Sequence, residues 1–94
     1  MRRLKVTLRL GRAFAKEAGF ADRAAMLPPG ADAAALLRWI AAEAPGLSCV
    51  EGGTVDLAVA HLSVNGKGVD ARKPESLALK EGDAAYLYAP ISGG

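Results

Sequence analysis

Three groups in this 94-residue chain have chemistry of their own to offer: the lone histidine His61, the lone cysteine Cys49, and the α-carboxyl of Gly94, which closes the run YLYAPISGG. Any histidine-based triad rests on His61. It lies in LAVAHLSVNG, where alternation makes it a strand residue that faces solvent or meets a hydrogen-bond partner. Cys49 lies in a polar connection with no histidine near it in sequence, and reads as a stray thiol rather than a nucleophile. There is no CxxC, no HxxxH and no run of carboxylates at metal-ligand spacing. The glycines of EGGTVD and VNGKGVD open no helix after a strand, so they make no phosphate loop. An enzyme acting alone is not expected.

Gly94 differs in kind. A carboxylate on a Gly93-Gly94 arm can be threaded into another protein's active site, because two missing Cβ atoms narrow the arm and let backbone approach backbone. The acid is inert until activated. Adenylation converts it to a mixed anhydride open to sulfur or nitrogen nucleophiles. Pro90 stiffens the exit from the preceding strand and fixes its direction. Ile91 either folds back onto the sheet or is an apolar residue for a partner's pocket. The expected organisation is a single domain over residues 1–89 and a flexible C-terminal Gly-Gly tail over residues 90–94.

The elements that must position this arm follow from periodicity. Leu4, Val6, Leu8 and Leu10 alternate with Arg3, Lys5, Thr7 and Arg9, which predicts a strand with one apolar face, ended by Gly11. Residues 24–27 predict a short second strand, reached through a long loop with Phe14 and Phe20 as inward anchors. Asp32 is placed to cap a helix whose Leu36, Leu37, Ile40, Ala41 and Ala44 form one stripe. Trp39 sits at the edge of that stripe, Arg38 and Glu43 fall on its solvated side, and Pro45-Gly46 stops it. Residues 48–56 read as a polar connection. Ala60, Leu62 and Val64 then share one face of a third strand that ends in an Asn65-Gly66 turn. Residues 69–72 predict a brief fourth strand, and PESLALKEGD a turn or short helical piece ending at Gly82-Asp83. In the last strand Ala85 and Leu87 face one way, Tyr86 and Tyr88 the other. A hairpin, one main helix and further strands predict an α+β β-grasp: a mixed sheet of four to five strands over one helix, with the first and last strands side by side at its centre.

Bulk properties narrow the partners. The chain is 51% hydrophobic and 23% charged with a net charge of +2, enough for one core and too weakly basic to mark a nucleic-acid or anionic-membrane surface. No apolar run reaches the length of a membrane span, and MRRLKVTLRL alternates too strictly for a signal peptide. The single cysteine fits a cytoplasmic location.

LSVNG, LKEGD and YAPISGG, in that order, resemble the MoaD/ThiS sulfur-carrier superfamily of ubiquitin-like β-grasp proteins. LRLGRAFAKEAGF is similar to that family's opening strand and loop, and LPPGADAAALLRWIAAEAPGL to its hairpin end and helix. An apolar residue and proline ahead of the glycines looks closest to the small subunit of molybdopterin synthase. The resemblance implies that the Gly94 carboxylate is adenylated by a MoeB-type, E1-like enzyme using ATP and Mg²⁺, with no cofactor held stably by the chain itself. A sulfur donor protein then makes a thiocarboxylate. Gly93 and Gly94, with Ser92, Ile91 and Pro90, insert into a MoaE-like large synthase subunit, where the sulfur passes to the precursor of the molybdenum cofactor. Tyr88 stands where the family carries a bulky residue that packs on partners; the alternative is simple cover for the sheet.

Three further readings stay open. The connection GVDARKPESLALKEGD is similar in length to that of the thiamine carriers, so a ThiS-like role for thiazole or another thio-metabolite remains. A ubiquitin-like modifier joined to target lysines through Gly94 is the second. A non-catalytic β-grasp interaction module is the third.

Overall fold

The computed structural model describes residues 3–90. Strand β1 (Leu4–Leu10) has the predicted alternation, with Val6, Leu8 and Leu10 buried and Lys5, Thr7 and Arg9 exposed. It pairs antiparallel with β2 (Asp22–Leu27) and parallel with β7 (Ala84–Tyr88). β7 also pairs antiparallel with β5 (His61–Val64), which pairs with β6 (Lys67–Gly68). The five-stranded sheet therefore runs β2-β1-β7-β5-β6, mixed, with the first and last strands adjacent at its centre as expected for a ubiquitin-like β-grasp.

Helix α2 (Ala33–Glu43) lies on one face. The Asp32 carboxylate accepts a 2.9 Å hydrogen bond from the Ala35 N–H, satisfying one of the orphan donors of the first turn. Ala44 leaves the helical region at φ −132°, as a residue before proline tends to do. The helix stripe Leu36, Leu37 and Ile40 meets Leu8, Leu62 and Leu87 in the core, where these side chains are at most 2% exposed. Burying each such side chain stabilises the fold by about 1.5–3 kcal/mol before the entropy cost is counted. Trp39 is half-buried at the core's margin, and Glu43 reaches Arg23 at 3.4 Å.

The structure corrects three expectations. The loop after β1 contains a helix, α1 (Arg12–Ala18). It is seven residues long, buries Phe14 and has no side-chain cap at Gly11, so its sequence lacks both a stripe and an N-terminal signal. Phe14 is the inward anchor expected, whereas Phe20 is half-buried with the Arg23 guanidinium 3.9 Å over its ring. The connection after α2 contains a two-stranded hairpin, β3 (Val50–Glu51) and β4 (Thr54–Val55). Gly52 and Gly53 turn it at φ +62° and +81°, a conformation that suits two-residue hairpin loops. Finally, the fourth strand is residues 67–68, not 69–72: Asn65 and Gly66 form a two-residue turn at φ +52° and +83°, so pairing resumes at once with Val64 opposite Lys67. A 3₁₀ turn (Pro74–Ser76) occupies the stretch read as a turn or short helical piece.

Candidate functional site

The strand that leads toward residues 90–94 lies between two neighbours, so its direction is set from both sides. Ala85 and Leu87 are 2% and 0% exposed in the core, while Tyr86 and Tyr88 stand on the outer face. The two tyrosine rings stack at 4.9 Å, and the His61 ring stacks on Tyr88 at 5.6 Å from the position directly opposite on β5. His61 thus contributes an exposed flat face to an aromatic row, in keeping with its reading as a solvent-facing strand residue. Ala89 and Pro90 follow, both exposed.

Gly11 clamps this exit. Its N–H donates to the Leu87 carbonyl at 2.7 Å. A Cβ at position 11 would lie 3.1 Å from the Tyr88 Cβ and 3.3 Å from its Cα, closer than side chains ordinarily pack. A notch adjoins this contact, lined by Gly11, Arg12, Tyr86, Tyr88 and Ala89. A neighbouring hollow of about 480 Å³ lies over the adjoining row, with Arg9, Arg12, Ser63 and Tyr86 among its walls. Arg9, Tyr86 and Ser63 are register partners across β1, β7 and β5. Among the described residues neither hollow is lined by a carboxylate.

The other end of β7 is fixed by a polar clamp. Asp83, 7% exposed, accepts from the Asn65 side-chain amide at 2.9 Å and from the Lys80 N–H at 2.7 Å, while the Asn65 side-chain oxygen accepts from the Ala84 N–H. This satisfies the buried carboxylate and ties the turn after β5 to the start of β7.

Cys49 lies far from this chemistry in character. It is 1% exposed, and burial pushes its thiol above the ordinary 9.0, partly offset by a backbone hydrogen bond and reinforced by the carboxylates of Glu17 and Asp56. A thiol held protonated is a poor nucleophile. Among the described residues no cluster of histidine, cysteine or carboxylate side chains is arranged to hold a metal ion, and no helix is long and apolar enough to cross a membrane.

Of the residues expected to matter, Tyr88 and Pro90 are placed together at the strand exit; Ile91, Ser92, Gly93 and Gly94 lie outside the described residues. Sequence reasoning missed Gly11, Arg9 and Arg12. Their importance comes from the parallel pairing of β1 with β7, which joins residues more than seventy apart in the chain. The one available signal was a glycine directly after an alternating strand.

No family profile and no curated protein matches the chain. Solved structures do. The HVO 2177 protein of Haloferax volcanii aligns over 98% of this chain and 88% of its own, with 28% identity and a TM-score of 0.75. SAMP1 of Haloferax volcanii aligns over 96% and 99%, with 20% identity and a TM-score of 0.77. A Pyrococcus furiosus protein provisionally named molybdopterin converting factor, subunit 1, aligns over 94% and 99%, with 24% identity and a TM-score of 0.71. The chain has the ubiquitin-like β-grasp fold, and its structural neighbours include a small archaeal modifier and a protein bearing a MoaD-type name.

Proposed function

We propose that this protein is a sulfur carrier of the molybdopterin synthase small-subunit type, acting through the Gly94 carboxylate. The observation that carries the reading is the placement of β7: a strand held on both sides in the sheet reaches exposed Ala89 and Pro90 beside an aromatic row. Four further residues extend at most about 14 Å, enough to carry a terminal group into a partner's cleft while the sheet face stays outside.

The chemistry belongs to the partners. In a MoeB-type, E1-like enzyme the Gly94 carboxylate oxygen attacks the α-phosphorus of Mg²⁺-bound ATP, and pyrophosphate leaves. The outer sulfur of a donor protein's cysteine persulfide then attacks the acyl carbon, and AMP leaves with the electron pair of the broken C–O bond. A second thiol attacks the donor's cysteine sulfur, forming a disulfide with it, and the broken S–S bond releases the thiocarboxylate. In a MoaE-like large subunit that sulfur passes to the precursor of the molybdenum cofactor. This chain supplies the narrow Gly93-Gly94 arm, the stiff Pro90, and Ile91, Ser92 and Tyr88 as contacts.

A second reading has its own support. Likeness in fold to SAMP1 favours a modifier whose activated Gly94 is taken by a lysine amine rather than by sulfur. Intact mass of the protein from its native cells separates the two. Exchange of one terminal oxygen for sulfur supports the carrier. High-mass conjugates that vanish when Gly93 and Gly94 are deleted support the modifier. If neither species forms after incubation with ATP and an E1-like enzyme, both readings fall.

A further inference from the structure

The charge around the strand exit is one-sided. Arg12 lines three adjoining hollows, together with Arg9 in one and Lys16 in another, and among the described residues no carboxylate side chain lines any of them. The nearest restraint on Arg9 is weak: its 3.5 Å pair with Asp22 joins side chains 71% and 59% exposed, and such pairs exchange partners at little cost. Among the described residues Arg12 makes no ion pair. Arg9, opposite Tyr86 on β1, and Arg12, at the start of α1, therefore line one hollow with Tyr86, next to the notch at Gly11.

We infer that this hollow is the seat of an acidic segment of the protein that receives the tail: carboxylate side chains pair with Arg9 and Arg12 beside Tyr86, and an apolar side chain enters the adjoining notch lined by Gly11, Tyr86 and Tyr88. The inference rests on the carrier reading and names the surface by which the activating enzyme holds the domain while the tail is in its active site. Arginine's planar fork suits carboxylates, and an aromatic ring beside the two arginines adds apolar contact to charge. A single-stranded nucleic acid has the same two attractions, but a chain with a net charge of +2 lacks the basic stripe that tracks a phosphate backbone.

The test is steady-state adenylation by the purified E1-like enzyme of the same cell, followed by pyrophosphate release, with the full chain as substrate. The variants are Arg9→Glu/Arg12→Glu and the milder Arg9→Gln/Arg12→Gln, each checked for an unchanged melting temperature. The expected result is a KM for the chain raised roughly tenfold by charge reversal and less by neutralisation, with kcat retained. Added salt should raise the wild-type KM and leave that of the Gln variant nearly constant. An unchanged KM alongside efficient wild-type adenylation overturns the inference and leaves the carrier reading intact. No adenylation of the wild type overturns both. Binding of a single-stranded oligonucleotide that competes with the enzyme and is lost in the same variants also overturns it.

Discussion

Two hollows of similar size, about 480 Å³ beside Tyr86 and about 420 Å³ between α2, the β3–β4 hairpin and the 3₁₀ turn, differ in everything except volume. Among the described residues the first carries Arg9 and Arg12 and no carboxylate, and the second carries Glu51 and Asp56 and no basic residue. The first rests on three strands of the five-stranded sheet and adjoins the strand that leads to the tail. The second lies by a two-stranded hairpin whose Val55 closes over the core next to buried Cys49. Volume therefore says little about use here. What separates the regions is that one presents its side chains outward from a rigid support, while the other uses its best side chains to seal the interior.

Stability should separate them first. Leu87→Ala empties a site in the middle of the core and is expected to cost about 3 kcal/mol; Val55→Ala, at the hairpin, about 1–2 kcal/mol from the methyl groups lost. Chemical denaturation of both variants checks the order, and equal costs would break the distinction between support and seal.

Glycines give a second comparison. Gly11→Ala forces a Cβ against the Tyr88 backbone from an extended conformation, so its cost of about 1–3 kcal/mol is steric. Gly53→Ala meets nothing within 4 Å, so its cost of about 1 kcal/mol comes only from the positive φ. The two separate in NMR spectra: Gly11→Ala should move the Tyr86 and Tyr88 resonances, and Gly53→Ala should leave them in place.

Cys49 sharpens the idea of a seal. Because the folded-state thiol pKa is raised, its contribution to stability is fully present below the unfolded value near 9.0 and is lost as pH rises through the folded value. Urea unfolding followed from neutral to alkaline pH should show a decline that is shallower in Cys49→Ala. At neutral pH a thiol reagent should react with the folded protein only as fast as it opens. The smallest expected effect is that of Glu51→Gln in the acidic hollow: stability within about 0.5 kcal/mol of wild type and no change in the adenylation KM. A large KM change there would move the docking surface to the other side of the molecule.

The sequence disclosed what repeats locally and hid what depends on distant pairing. Alternation in β1 and β7 and the stripe of α2 were legible because each buries one face against a common core. The outward position of Tyr88 followed from the same alternation. Helix α1 escaped because seven alanine-rich residues carry too little periodicity to outweigh a loop. The β3–β4 hairpin was readable in principle: Gly52-Gly53 between Val50-Glu51 and Thr54-Val55 is a two-residue turn signal, overlooked because each strand is only two residues long. The arginines around Tyr86 had no local signature at all. Arg9 alternates on β1 like any solvent-facing charge and Arg12 opens a helix that carries no sequence signal, so only the parallel pairing of β1 with β7 brings them near the strand exit.

The adjacency of β1 and β7 also governs when the molecule can exist during its own synthesis. A nascent chain that has extruded β1, both helices and β5 still lacks the strand that lies between β1 and β5. Residues 84–88 must clear the ribosomal tunnel before the centre of the sheet closes, so closure waits on contacts between strands more than seventy residues apart. A truncation product that stops short of β7 leaves the facing edges of β1 and β5 unpaired, and is expected to be cut by proteases far faster than the full domain.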